Sequence, residues 1–266
     1  MTQKKSISNV EFPKNLIQSV FIVLIFIATS GIISVTLTRV LNQWVDKKLV
    51  LFLGYILGFV SILFVVKLLN KKYTYSEYNI KFQVQKDLLI LLIASIFAFA
   101  TPIVKLFESL MSEDSIQTQD PFASITYLIG GIFIGPIIEE VIFRGIILEG
   151  LLNNKNISKL RAILYSSILF AVIHINISQI LTALIIGVIC SISYTKDRNI
   201  LSAIILHMIA NISITLASYI HYKYGDSQIN SIENIFGDYS LFIIIFSAII
   251  FIIVMCRVTK VKYHEN

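Results

Sequence analysis

The chain has 266 residues, of which 56% are hydrophobic and only 14% are charged, and its formal net charge is +6. Its mean hydropathy of +0.81 lies outside the soluble globular range, so composition excludes a soluble globular fold. The basic residues collect at the ends of apolar runs, which is typical of membrane topology determinants and argues against a nucleic-acid partner. The apolar runs are too long for barrel strands, so the sequence predicts an all-α, polytopic membrane helix bundle.

Eight apolar runs are long enough to cross a bilayer. In chain order they cover about residues 16–41, 49–69, 88–107, 122–150, 160–177, 179–194, 200–220 and 239–256. The first run follows several lysines but is too long for a signal peptide, so we expect an uncleaved span.

The basic residues predict the orientation of these spans. If the N-terminus is cytoplasmic, the inner segments hold 16 Lys and Arg residues and the outer segments hold 5. The inner ones are Lys4, Lys5, Lys14, Lys67, Lys71, Lys72, Lys81, Lys86, Lys155, Lys159, Arg161, Lys196, Arg198, Arg257, Lys260 and Lys262, and the outer ones are Arg39, Lys47, Lys48, Lys105 and Lys223. This bias predicts that both termini are cytoplasmic.

The fourth run is unusual because three charged residues, Glu139, Glu140 and Arg144, interrupt its apolar sequence. Each such charge costs about 2.5–3.5 kcal/mol near a bilayer centre, so we expect it to pair, to line a wet cavity or to do chemistry. Glu140 and Arg144 are four residues apart and share a helical face, whereas Glu139 points about 100° away. Glu139 is therefore predicted to lack that arginine. Glycines and a proline just before Glu139 would permit a kink.

Two later runs carry pairs of residues four apart, Phe170 with His174 and His207 with Asn211. Each pair should project from one helical face. If the three helices pack together, one cavity can receive Glu139, His174, His207 and Asn211. Helix rise places Glu139 and His174 near mid-membrane but His207 nearer the cytoplasm, a gap that helix tilt could close.

Each of these residues also has a structural interpretation. The Glu140–Arg144 pair could only neutralise two charges, Phe170 could be a core aromatic, and Asn211 could join helices. Either histidine taken alone could be a packing residue. We expect solvated roles for Glu149, His221 and His264, and we expect Cys190 and Cys256 to be small core residues.

The motifs EExxxR, FxxxH and HxxxN, in this order on successive membrane helices, resemble the CPBP intramembrane protease family. This family includes CAAX prenyl endopeptidases and bacteriocin-processing and immunity (Abi-type) proteins. The resemblance implies a catalytic core over residues 116–222, preceded by three spans in residues 1–115 and followed by a last span and basic tail in residues 223–266. It also implies peptide-bond hydrolysis within or at the edge of the membrane.

The resemblance and general chemistry together suggest roles for the site residues. Glu139 would be the general base toward a water that His174 orients, and His207 and Asn211 would donate hydrogen bonds to the oxyanion. Glu140, Arg144 and Phe170 would support the site. This mechanism requires no cofactor. Alternatively, Glu139, His174 and His207 could bind zinc, although the sequence has no HExxH motif.

Three functions remain open from the sequence. The leading one is an endopeptidase that acts on a peptide or membrane-protein substrate in the lipid bilayer. A non-catalytic bacteriocin immunity or binding protein is the alternative, and an ion-coupled transporter is a third, although no inverted repeat is evident. Abundant Ile, Asn and Lys suggest a bacterial genome and hence the plasma membrane. A prenylated substrate is then less expected than a pheromone, a leader peptide or a membrane-protein segment.

Overall fold

The computed structural model of the protein describes residues 12–41, 44–69, 128–174 and 177–224, with a few positions between 242 and 253. All regular elements in these ranges are helical, which confirms the predicted class. Three helices there are long and apolar enough to cross a membrane, namely Leu16–Leu41, Lys47–Leu69 and Gln179–Lys196. The predicted span 88–107 lies outside the described residues, and the span 239–256 is described only at scattered positions. The count of eight spans therefore stays a prediction.

The N-terminal part is a hairpin of two helices, α1 (Leu16–Leu41) and α2 (Lys47–Leu69). Asp46 begins α2 because its Oδ1 accepts hydrogen bonds from the backbone N–H groups of Lys48 and Leu49, at 2.7 and 3.3 Å. This is the capping that the first turn of a helix requires. The two helices pack along each other, and their outer faces keep many large apolar side chains exposed, as lipid contact requires.

The motif helix is built from four consecutive segments. A π-helix (Ile129–Ile134), an α-helix (Gly135–Glu140), a second π-helix (Val141–Leu148) and an α-helix (Glu149–Leu152) follow one another. Gly135 N–H bonds to the carbonyl of Gly130, five residues back, as in a π-turn. The glycines and Pro136 predicted an irregularity before the glutamates. The structure has a change of helical pitch on both sides of the glutamates. Such π-segments occur frequently at functional sites.

Three further helices complete the described core: α3 (Lys159–Val172), α4 (Ile177–Asp197) and α5 (Ile200–Tyr224). The prediction that α3 continues to residue 177 is wrong. It ends at Val172 because the chain closes there in a tight turn, in which His174 N–H donates to Ala171 O at 3.1 Å. A two-residue turn joins α4 to α5, with Arg198 in the left-handed region at φ 52°, which is uncommon for a residue with a side chain.

Several chain segments meet at one end of the molecule. Asn154 Nδ2, just after the motif helix, donates to the carbonyl of Lys14 at 2.6 Å, just before α1. Arg198, in the α4–α5 turn, contacts Glu149 near the end of the motif helix. The start of α1, the end of the motif helix and the α4–α5 turn therefore lie at the same end. Glu139 and Glu140 are separated from this end by the second π-helix, so they lie deeper in the bundle.

Candidate active site

The ion pair predicted on the motif helix is present and completely buried. Arg144 Nη1 lies 2.7 Å from Glu140 Oε1, and both side chains are 0% exposed. Arg144 Nη2 also donates to the carbonyl of Gly187 on α4, at 2.9 Å. The guanidinium lies over the ring of Phe170, 4.7 Å from its centroid, in a cation–π contact. This arrangement ties the motif helix to α3 and α4.

Glu139 has a different environment from its neighbour. Its Oε1 accepts a hydrogen bond from the hydroxyl of Tyr55 on α2, at 2.8 Å. Its Oε2 lies 3.6 Å from His207 Nε2 on α5. Glu139 keeps 16% of its side chain exposed, whereas Glu140 is fully buried. Glu139 is therefore the glutamate of this pair that a small molecule such as water can reach.

His207 lies between the two glutamates. Its Nδ1 is 2.9 Å from Glu140 Oε1, so His207 and Glu139–Glu140 lie at the same depth and the predicted offset toward the cytoplasm is absent. A carboxylate only accepts hydrogen bonds, so Nδ1 carries a hydrogen. An N–H at Nε2 as well would make the ring an imidazolium.

His174 is connected to the site through the ring of Phe170. It lies just beyond the end of α3 rather than on a continuous helical face, and its Nδ1 is 3.1 Å from the carbonyl of Phe170. Since a carbonyl only accepts, Nδ1 carries the hydrogen and Nε2 of the neutral ring is left as an acceptor. The Phe170 ring packs edge-on against both His174 and His207, with centroids 5.2 and 5.3 Å apart. Phe170 is 1% exposed, as a core aromatic should be.

Asn211 lies one turn after His207 on α5. Its Nδ2 donates to the carbonyl of Gly131 in the first π-helix, at 2.8 Å. A side-chain amide has two N–H donors, so this bond uses one and leaves one for another acceptor. Asn211 thus connects helices, as its structural interpretation requires, and still has a free donor to offer.

In the described ranges, no group of three or more His, Cys, Asp or Glu side chains could hold a metal ion. The alternative in which Glu139, His174 and His207 bind zinc stays a prediction, and we derive no step through a metal.

A second buried cluster corrects one expectation. Glu149, predicted to be solvated, is largely buried, with only 11% of its side chain exposed. Its Oε2 accepts a hydrogen bond from Tyr194 Oη at 2.8 Å and contacts Arg198 Nη1. The prediction was wrong because Glu149 continues the motif helix into contact with α4 instead of ending it in solvent. Nearby, burial and then the charge of Arg198 lower the pKa of the Lys159 ammonium from its usual value.

The remaining polar predictions fall partly outside the description. The side chains of His221, His264 and Cys256 lie outside the described residues. Cys190 is completely buried as a free thiol, in agreement with its predicted core role.

Tyr55 is the site residue that the sequence motifs miss. It is 84 positions from Glu139 in the chain, on a helix that carries none of the three motifs. One signal was present: a tyrosine in the middle of an apolar membrane span needs a partner for its hydroxyl. Nothing in the sequence identifies that partner as Glu139.

One family model matches part of the chain. The family model described as Rce1-like, type II CAAX prenyl endopeptidase, matches residues 121–213, roughly a third of the chain. No curated protein and no solved structure matches. The matched segment contains the EExxxR, FxxxH and HxxxN motifs, and it excludes α1 and α2. Residues 121–213 are therefore similar to a family of CAAX-type prenyl endopeptidases, which agrees with the resemblance that the motifs carry.

Proposed function

We propose that the protein is an intramembrane endopeptidase that uses Glu139 to activate water against a peptide bond. The observation that carries this proposal is the contrast between two adjacent glutamates. Glu140 is buried and paired with Arg144, whereas Glu139 has no arginine partner among the described residues, is partly exposed and lies 3.6 Å from His207 Nε2. A carboxylate in such a poorly solvated site is well suited to general-base catalysis.

The reaction that we propose begins at Glu139. A water at Glu139 Oε2 loses a proton to the carboxylate while its oxygen bonds to the scissile carbonyl carbon. His174 Nε2, left as an acceptor, takes the second hydrogen of the water in a hydrogen bond and so orients it. When the tetrahedral intermediate collapses, the C–N bond breaks and Glu139 returns its proton to the leaving amine.

The oxyanion of that intermediate needs donors. We assign this role to His207 Nε2–H in the imidazolium form and to the second amide N–H of Asn211. Donors of this type each contribute about 2.7–4 kcal/mol to stabilisation of the transition state. The contact of Asn211 with Gly131 and that of His207 with Glu140 would fix both donors before the substrate arrives.

We further propose that both termini are cytoplasmic and that the chain has eight spans, divided as residues 1–115, 116–222 and 223–266. The charge bias supports this orientation. The Asn154–Lys14 contact supports an even number of spans between these two residues, because an even number is needed to return the chain to the end where α1 starts. Most inner-segment cations among the described residues lie near that end.

The test is cleavage by purified protein in liposomes. Two internally quenched probes distinguish substrate classes, a farnesylated CAAX peptide and an unmodified transmembrane peptide. We expect wild-type protein to cleave at least one of them, and Glu139→Gln to abolish cleavage while the protein melts at nearly the same temperature. His174→Ala should have nearly the same effect. Full activity in Glu139→Gln would refute the proposed role of this glutamate.

A further inference from the structure

We propose that Tyr55 is a positioning residue of this site, which fixes the Glu139 carboxylate so that only Oε2 is presented to water. This inference rests on the proposed function and extends the site to α2, outside the segment that matches the family model. Its starting observation is the 2.8 Å hydrogen bond from Tyr55 Oη to Glu139 Oε1.

The two oxygens of the Glu139 carboxylate are equivalent in a freely rotating side chain, and either could contact a water. A phenol that donates to Oε1 holds the side chain in one orientation and leaves Oε2 facing His207 Nε2.

One face of α2 lies against the motif helix. Phe52 and Tyr55 are three residues apart and share one face of α2. That face lies against the motif helix, because a side-chain carbon at Gly130 would come within 3.1 Å of the Phe52 ring. Glycine at position 130 therefore permits the close approach that brings Tyr55 to Glu139.

Close packing against α1 holds Tyr55 in place. Gly54 and Gly58 are four residues apart on α2 and face α1. A side chain at Gly54 would overlap the hydroxyl of Ser34, and one at Gly58 would overlap that of Ser30. Small residues at this spacing allow membrane helices to pack closely. In addition, the Phe26 ring of α1 meets the Tyr55 ring edge-on, with centroids 5.3 Å apart. The α1–α2 hairpin thus acts as a rigid support for one hydroxyl group.

The experiment compares three variants in the liposome assay with the two probes. Tyr55→Phe keeps the ring and removes the hydroxyl. Glu139→Gln is the reference for complete loss of cleavage, and Tyr165→Phe is the matched control on α3. We expect Tyr55→Phe to lower kcat about tenfold to a hundredfold, since small misplacements of a reacting group have effects of this size. KM and the melting temperature should stay near wild type, and Tyr165→Phe should match wild type in all three. Wild-type kcat in Tyr55→Phe, or an equal change in the control, would overturn the proposal.

A second measurement needs no substrate. Infrared spectra of protein with ¹³C-labelled glutamate should show a carboxylate band that shifts in Tyr55→Phe, and this shift should disappear when Glu139 is already Gln. An identical shift in both backgrounds, or no shift in either, would overturn the contact. If wild-type protein cleaves neither probe but the specific shift is seen, the contact stands and the proposed function fails.

Discussion

Two glutamates of the motif helix each accept a hydrogen bond from a tyrosine hydroxyl at 2.8 Å, Glu139 from Tyr55 and Glu149 from Tyr194. They differ in the cation that completes each site. Glu149 contacts the guanidinium of Arg198. In the described part of the chain, Glu139 has no arginine partner, because Arg144 pairs with Glu140 instead, and its other oxygen faces His207.

The comparison shows how the environments of these two carboxylates differ. The exposed fraction of the side chain is similar, at 16% for Glu139 and 11% for Glu149. The two sites differ because Glu149 lies beside a permanent cation, the guanidinium of Arg198. Arginine cannot lose its proton in a protein, so Glu149 lies beside a fixed charge, whereas Glu139 lies beside a histidine and a tyrosine hydroxyl. We propose that this difference leaves Glu139 able to act as the base.

Removal of the buried arginine should have the largest effect on folding. Arg144→Met or Glu140→Gln leaves an unpaired charge in a low-dielectric site, at a cost of about 3–5 kcal/mol of unfolding free energy. Both variants should melt at lower temperature in detergent and lose activity. The double variant should recover part of the stability, because no charge is then left unpaired. Unchanged melting temperatures in both single variants would show that the pair contributes nothing.

Loss of an oxyanion donor should reduce activity in a graded way. His207→Ala and Asn211→Ala should each retain turnover about 10²–10³-fold below wild type. Purified wild-type protein should keep its activity after chelation, and its zinc content, measured by elemental analysis, should not change in His207→Ala. Stoichiometric zinc together with chelator-sensitive turnover would contradict the proposed mechanism.

The Glu149 cluster should give the smallest effects. Glu149→Gln and Tyr194→Phe should each cost about 1 kcal/mol of stability, because Arg198 is 48% exposed and can find water instead. Turnover per folded molecule should equal that of wild type. A loss of turnover comparable to that of Glu139→Gln would remove the distinction between the two glutamates.

The sequence predicted those features that depend on local spacing. Four-residue spacing predicted the Glu140–Arg144 pair, and the one-residue offset predicted that Glu139 lacks this arginine. It could not predict the Tyr55 contact, which depends on how two helices far apart in the chain pack at Gly130. It also misjudged Glu149, because burial of a helix end depends on tertiary contact with α4. The end of α3 was misplaced because apolar residues continue past the turn at His174.

We propose that Glu139 does chemistry while Glu149, on the same helix and with the same type of tyrosine partner, does not. The most direct test is to measure turnover and melting temperature for Glu139→Gln and Glu149→Gln side by side in the same liposomes. We predict no detectable cleavage with near-wild-type melting for Glu139→Gln. For Glu149→Gln we predict wild-type turnover with a slightly lower melting temperature. Equal turnover in the two variants would contradict the account.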